Sequence, residues 1–383
     1  MRRLFIVVSA LLAATPALAD QGVSDDEVVI GSVGDLSGIF ASFGAPAVAG
    51  ARLHFDEVNA AGGVHGRTIR FVVEDSSYQM PKAMQGFNKL INRDRVFAML
   101  LTLGTPMNVA GFKLMTPKNI PNISPLSAGY QMLAPPVRLK FAASTSNYDQ
   151  MRLAARYMVE NGHASKLCAM YIPSDFGKEV REAIADEAEA QEGASFVAET
   201  THKPDEADFI GSLQKLQGEG CDMVAVALGI RQTITTMGTA KKLGLSGIRF
   251  VGPSGAFHSA LAKVPGGVTE GLHAVSAWSD LAARAGDPAV AGFIAAWQKA
   301  HGEFPNTGAL LGYAAAKGFT RALEIAGREL TVDSLIRAME SLDYFDPVMN
   351  VQVTYGPDDH RGVDVTILSV IRDGNWQEIT RLE

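Results

Sequence analysis

From Val28 to the C-terminal end, apolar runs of strand length alternate with segments whose apolar residues recur every three or four positions. This alternation limits the fold more than any other feature. Strands separated by helices pair in parallel, because each connection must cross the sheet face and a helix fills that crossing. Residues 28–33 read as the first strand. A loop over 34–46 follows, and then Val48, Ala51, Phe55 and Val58 form one helix face that Gly62-Gly63 stops. Strands over 69–73 and 96–101 and a short one ending near Ile123 come next, with a helix starting at Pro81 between the first two. The rhythm restarts after Phe141, with strands at 167–172, 196–201, 223–227 and around Phe250 and helices between them. An extended stretch over 271–278, helices over 288–300 and 309–326, and a hairpin turning at Asp373-Gly374 complete the pattern. A chain of 383 residues exceeds what one hydrophobic core organises, so two α/β lobes are expected.

The N-terminal residues point to export. Met1-Arg2-Arg3 is a short basic region, residues 4–14 are apolar, and Ala17-Leu18-Ala19 is a small-x-small cleavage signal before Asp20. Residues 1–19 are therefore expected to be a leader cut after Ala19. Its apolar run falls well short of the roughly 20 residues that a spanning helix needs. The formal net charge is −7, and loss of Arg2 and Arg3 makes it more negative still, which repels phosphate backbones and argues against a nucleic-acid partner. Cys168 and Cys221 are the 2 cysteines. Two buried thiols acting as small apolar side chains are the plain expectation, with a bridge between neighbouring strands as the alternative.

Catalytic and metal-binding patterns are absent. There is no G-x-S-x-G elbow, no H-E-x-x-H, no Walker loop and no C-x-x-C, and Gly34, Gly38 and Gly44 lack the spacing that brings a backbone against pyrophosphate. His360, beside Asp358-Asp359, reads as part of a solvated turn and not as a metal ligand. No enzyme, metal or cofactor is expected. Open α/β sheets bind ligands at the carboxyl ends of their strands, where loops meet helix N-termini. In the first lobe those loops are Leu36-Ser37-Gly38 with Phe43, then 104–108 with Thr105 and Asn108, then Ser124-Pro125-Leu126-Ser127-Ala128. In the second they are Ser174-Asp175-Phe176-Gly177, Gly229-Ile230-Arg231 and Gly252-Pro253-Ser254-Gly255. Taken singly, each residue also fits ordinary turn and capping chemistry.

A longer stretch is more specific. Asp56-Glu57-Val58-Asn59-Ala60-Ala61-Gly62-Gly63-Val64-His65-Gly66-Arg67, then Glu74-Asp75 and Pro81-Lys82-Ala83, resembles the branched-chain amino-acid-binding family of periplasmic proteins, the type I solute receptors of ABC importers. Asp175-Phe176-Gly177, Asp208-Phe209 and Gly312-Tyr313-Ala314-Ala315 extend the resemblance over nearly the whole chain. It implies a two-lobed α/β Venus flytrap, each lobe a parallel sheet flanked by helices, with three hinge crossovers near 143–147, 272–276 and 347–353. The first lobe would comprise 27–144 plus 275–349, and the second 145–274 plus 350–383. It further implies a periplasmic monomer that takes a small-molecule ligand to an inner-membrane ABC permease. Carried over position by position, the family's pocket falls on Phe43, on Asn108 with Thr105 nearby, and on Leu126, Ser127 and Ala128. Across the cleft it falls on Phe176, on Gly229 to Arg231, and on Ser254, with Asn147 at the first crossover and Trp278 after the second.

The departures from the family bear on the cargo. Two positions that are acidic in the family, and suited to an α-ammonium group, are Ser254 and Asn147 here. An ammonium buried without a paired carboxylate is strongly disfavoured. Arg231, if it points inward, offers a planar fork for a carboxylate; the alternative is a solvated residue at a helix start. The expected ligand is therefore a carboxylic acid with an apolar or aromatic body against Phe43, Phe176 and Trp278. A branched-chain amino acid, or a sensory role without transport, are the alternatives.

Overall fold

In the computed structural model, which describes residues 20–382, the α/β units fall into two separate parallel-stranded layers. The expected leader, 1–19, lies outside the described residues. The first lobe opens with β1 (Glu27–Gly34), α1 (Ala41–Ala60), β2 (Thr68–Asp75), α2 (Met80–Asn88), β3 (Ala98–Leu100), α3 (Thr105–Met115), β4 (Asn122–Ile123) and β5 (Lys140–Phe141). The second lobe runs through α4 (Asn147–Glu160), β6 (Lys166–Tyr171), α5 (Asp175–Ala190), β7 (Ser195–Thr201), α6 (Ile210–Gly218) and β8 (Met223–Ala227). It continues with α7 (Ile230–Lys242), β9 (Arg249–Gly252), the short α8 (Ser259–Ala262) and β10 (His273–Ser276). The chain then returns with α9 (Pro288–His301), α10 (Thr307–Ala326), α11 (Val332–Glu340) and a hairpin of β11 (Asp343–Asp346) and β12 (Val351–Thr354). It ends in the second lobe with β13 (Thr366–Arg372) and β14 (Asn375–Leu382).

The first sheet has the order β2-β1-β3-β4-β5, all parallel, and the second β14-β13-β10-β9-β8-β6-β7. Apart from the antiparallel pair β13 and β14 at one edge, both sheets share one plan: the second strand in sequence lies outside the first, and the later strands follow on the other side. The fold is thus the two-lobed α/β Venus flytrap that the alternation and the resemblance implied. Two crossovers sit elsewhere than expected. β10 pairs with β9 and β13, so the chain leaves the second lobe after Ser276 and not within 272–276. Residues 347–353 are the turn and second strand of a hairpin, and the last crossing runs beside 142–145. There the Gly362 N–H donates to Ala142 O, and the Thr145 N–H donates to Val363 O.

Three further expectations give way. α1 begins at Ala41, so the first loop is short and Phe43 stands on the opening turn of the helix, with Pro46 inside it. Pro46 has no N–H to donate to the Ser42 carbonyl four residues earlier. That carbonyl instead faces Nε2 of His258, in the other lobe, at 3.1 Å. Cys168 and Cys221 form a disulfide, their Cα atoms 6.0 Å apart. Because β6 and β8 are neighbours, with Leu167 opposite Met223, a cysteine in β6 and one just before β8 come within reach. His360 is not solvated: it is buried, stacks on Phe141 at 4.0 Å and faces the Lys140 carbonyl at 2.9 Å. Among the described residues no cluster of metal-ligating side chains occurs, and no helix is long and apolar enough to cross a membrane.

One contact sets the shape of the first lobe. α10 lies against α1 so closely that a Cβ on Gly308 would meet the Phe43 carbonyl at 2.4 Å, and one on Gly312 the Ala47 carbonyl at 1.8 Å. Only glycine allows that approach. The adjoining side of α10, where Leu311 and Ala315 each stand three residues beyond one of these glycines, borders the space described next.

Candidate ligand-binding cleft

In each sheet the strand order reverses at the first strand, so the loops after β1 and β3, and those after β6 and β8, splay apart and open a crevice. The first-lobe loops are held by two carboxylates, Asp35 buried and Asp75 exposed. Asp35 accepts the Gly38 N–H at 2.6 Å and the Phe40 N–H at 2.8 Å, while Asp75 accepts the Leu36 N–H and the Ser37 hydroxyl. Burial pushes the Asp35 carboxyl up from its ordinary 3.8, against the pull of those N–H groups. Tyr78, Leu101 and Ser124, which follow β2, β3 and β4, have φ of 54°, 59° and 43°. Left-handed backbone at non-glycine residues is strained, and here it recurs at residues that line one cavity.

That cavity encloses about 1290 Å³ of space between the lobes, its open mouth included. Its aromatic wall crosses the cleft. The Phe40 ring stands edge-on to Tyr78 at 4.8 Å and to Phe176 of the second lobe at 6.0 Å. The polar groups are mostly neutral. Thr105 and Ser127 share a hydrogen bond of 2.9 Å, and Gly104, at φ 97°, caps α3, whose first-turn N–H groups have no acceptor within the helix. Among the described residues no Lys, Arg or His lines the cavity, and the one acidic side chain there is Asp346.

Most of the expected pocket residues meet here. Phe43, Thr105, Leu126, Ser127 and Ala128 line it from the first lobe. Asn147, Phe176, Ser254 and Trp278 line it from the second lobe and the crossovers. Three do not. Asn108 is fully buried: its Nδ2 donates to the Thr102 and Gly104 carbonyls, and its Oδ1 accepts from Asn122. It braces the loop that presents Thr105. Arg231, at the second position of α7, is exposed and outside the cavity, and Gly229 caps α7 against Ile39 of the first lobe. The sequence reading missed Phe40, Tyr78 and the inner wall formed by α10 and the β11–β12 hairpin. A signal existed for the helix: Leu311, Ala314, Ala315 and Gly318 keep a helical spacing and line the cavity.

The lobes touch directly on both sides of the cleft. Nδ1 of His258 accepts the Ala260 N–H, so Nε2 carries the proton and donates to Ser42. Burial pulls this imidazole down to about 4, and it stays neutral at ordinary pH. On the other side Glu179, buried in α5, accepts through Oε1 the N–H of Tyr130 in the first lobe and of Tyr148 in α4. Burial raises its carboxyl to about 8, more than those two N–H groups lower it.

Two α/β lobes joined by three crossovers and closed over a cavity are the architecture of a protein that binds by enclosure. The chain belongs to the periplasmic binding protein family, whose model matches residues 27–375. Members of that family bind small molecules and work with ABC transporter permeases, and the chain is such a solute-binding protein. The leucine-specific-binding protein of Salmonella typhimurium is 24% identical over 263 residues, 68% of this chain and 70% of that protein. A branched-chain amino acid ABC transporter protein from Thermus thermophilus with bound valine superimposes with a TM-score of 0.84 at 19% identity, covering 96% of this chain and 97% of that one. A fatty acid ABC transporter substrate-binding protein from Thermomonospora curvata gives 0.83 at 24% identity, covering 95% and 94%.

Proposed function

We propose that the protein, freed of its leader after Ala19, carries a carboxylic acid with an apolar body through the periplasm to an inner-membrane ABC permease. The observation that carries this reading is the charge of the cleft: Ser254 and Asn147, both lining it, are neutral, so an α-ammonium has no counter-charge at either position. A carboxylate needs no cation here. Hydroxyls and helix-start N–H groups stabilise an anion, and Thr105, Ser127 and the first turn of α3 supply both. Aromatic and aliphatic walls take the body, and Phe176 closes over it from the second lobe. Contacts from both lobes favour the closed form, and that difference in affinity is what a permease would read.

A second reading is favoured by Asp346. It is the acidic group in the cavity wall, and it could receive the ammonium of a hydrophobic amino acid. Melting-temperature shifts of the purified protein separate the two readings. Aliphatic or aromatic acids should stabilise it, by about 2.7 kcal/mol at a hundredfold excess over Kd. Stabilisation by leucine, isoleucine or valine alone overturns the acid reading.

A further inference from the structure

Resting on the acid reading, we propose that the cavity has a second chamber inside the first lobe and that this chamber takes an extended hydrocarbon tail, making the cargo a medium- or long-chain aliphatic acid. Three observations carry this. The first is extent: the lining runs from the cleft loops well into the first lobe, to which most of its residues belong.

The second is the wall. Beyond the cleft loops the lining passes to α10 (Leu311, Ala315, Gly318), then to Met339 and Leu342 at the end of α11, then to Val353 of the hairpin. On α10 these residues stand four and three apart, on the flank next to the glycine contact with α1. Ala315 and Gly318 put no bulky side chain on this stretch of the wall, and the Tyr344 hydroxyl stands beside Gly318. Leu311, Ala315 and Gly318 are partly accessible and line the cavity.

The third is the scarcity of hydrogen-bonding groups along this wall. The exceptions cluster on the hairpin and just after it. Tyr355 donates to the Ala142 carbonyl, and Asp346 accepts the Val348 and Met349 N–H groups through Oδ1, with the Arg284 guanidinium close behind. A compact amino acid leaves such a chamber empty. A methylene chain whose carboxylate sits at Thr105 and Ser127 fills it and passes the Tyr344 hydroxyl on the hairpin.

The test is calorimetric titration of lipid-stripped protein with butanoate, octanoate and dodecanoate, repeated on Ala315→Leu. In the unaltered protein affinity should rise about fourfold per added methylene. Ala315→Leu should lower octanoate and dodecanoate affinity at least tenfold and leave butanoate within twofold, which also shows that the variant folds and closes. Affinity independent of chain length, or an equal loss for all three acids, overturns the chamber while the acid reading stands. Binding of leucine, isoleucine or valine with no binding of any acid overturns both.

Discussion

The two lobes share one strand order and divide the work unequally. The first is a receptacle: it supplies the strained loops, the hydroxyl pair and, through α10 and the hairpin, most of the cavity wall. The second is a cover, solid within and pinned by a disulfide, which reaches the cavity chiefly through Phe176, Ser254 and Gly255. A common scaffold can thus be hollowed on one side and filled on the other. The asymmetry teaches that two lobes of one strand order can contribute very unequally to a shared cavity.

The disulfide offers the largest effect. Replacing both cysteines, Cys168→Ala with Cys221→Ala, opens a link spanning 53 residues in the second lobe and should lower unfolding stability by ~3 kcal/mol in urea titration. Affinity should stay within twofold, because neither residue touches the cavity. A large loss of affinity would mean that the cover does more than cover. Next comes Phe176→Ala, which removes the ring that meets Phe40 across the cleft. It should weaken binding about tenfold or more, given the ~1.5–3 kcal/mol of a buried Phe. Arg231→Ala, on the same lobe but outside the cavity, should leave affinity unchanged in the same titration.

The third prediction concerns the seam between the lobes. In the unfolded chain Glu179 has its ordinary value of 4.5, and in the folded protein burial holds it at about 8. Between those values the folded state keeps a proton that the unfolded state has released. The contribution of this group is complete below the unfolded value and is lost as pH rises through the folded one. The protein should therefore lose up to ~1.4 kcal/mol per pH unit across that window. Glu179→Gln, which holds the neutral form and keeps an acceptor for Tyr130 and Tyr148, should flatten the slope when stabilities at about pH 6 and about pH 8 are compared.

The sequence revealed features that depend on neighbouring residues and hid those that depend on distant ones. Strands and helices were legible because periods of two and of three to four are local, and the cleft loops because they follow strand ends. Asn108 misled for a related reason. Three residues along α3 from Thr105 it shares a helical side, yet that side turns into the protein, where Asn122 and two carbonyls hold it. Arg231 needed the direction of one helix position, which spacing alone does not supply. The cavity wall unites Leu101 and Leu103 with Ala315, Met339 and Val353, and no run of sequence contains that conjunction. The third crossover was misplaced because Val351-Gln352-Val353-Thr354 alternates like any strand, and alternation does not say which sheet it joins.

The glycine contact between α1 and α10 also governs the order in which the chain can settle. α1 lies near the beginning and its partner helix near the end, with the whole core of the other lobe between them. Loop closure over such a span is slow, and neither layer is sealed by an unbroken stretch, since the second awaits β13 and β14. By this topology each lobe reaches its final packing only when late segments of the chain are in place, α10 against α1 in the first and β13 with β14 in the second.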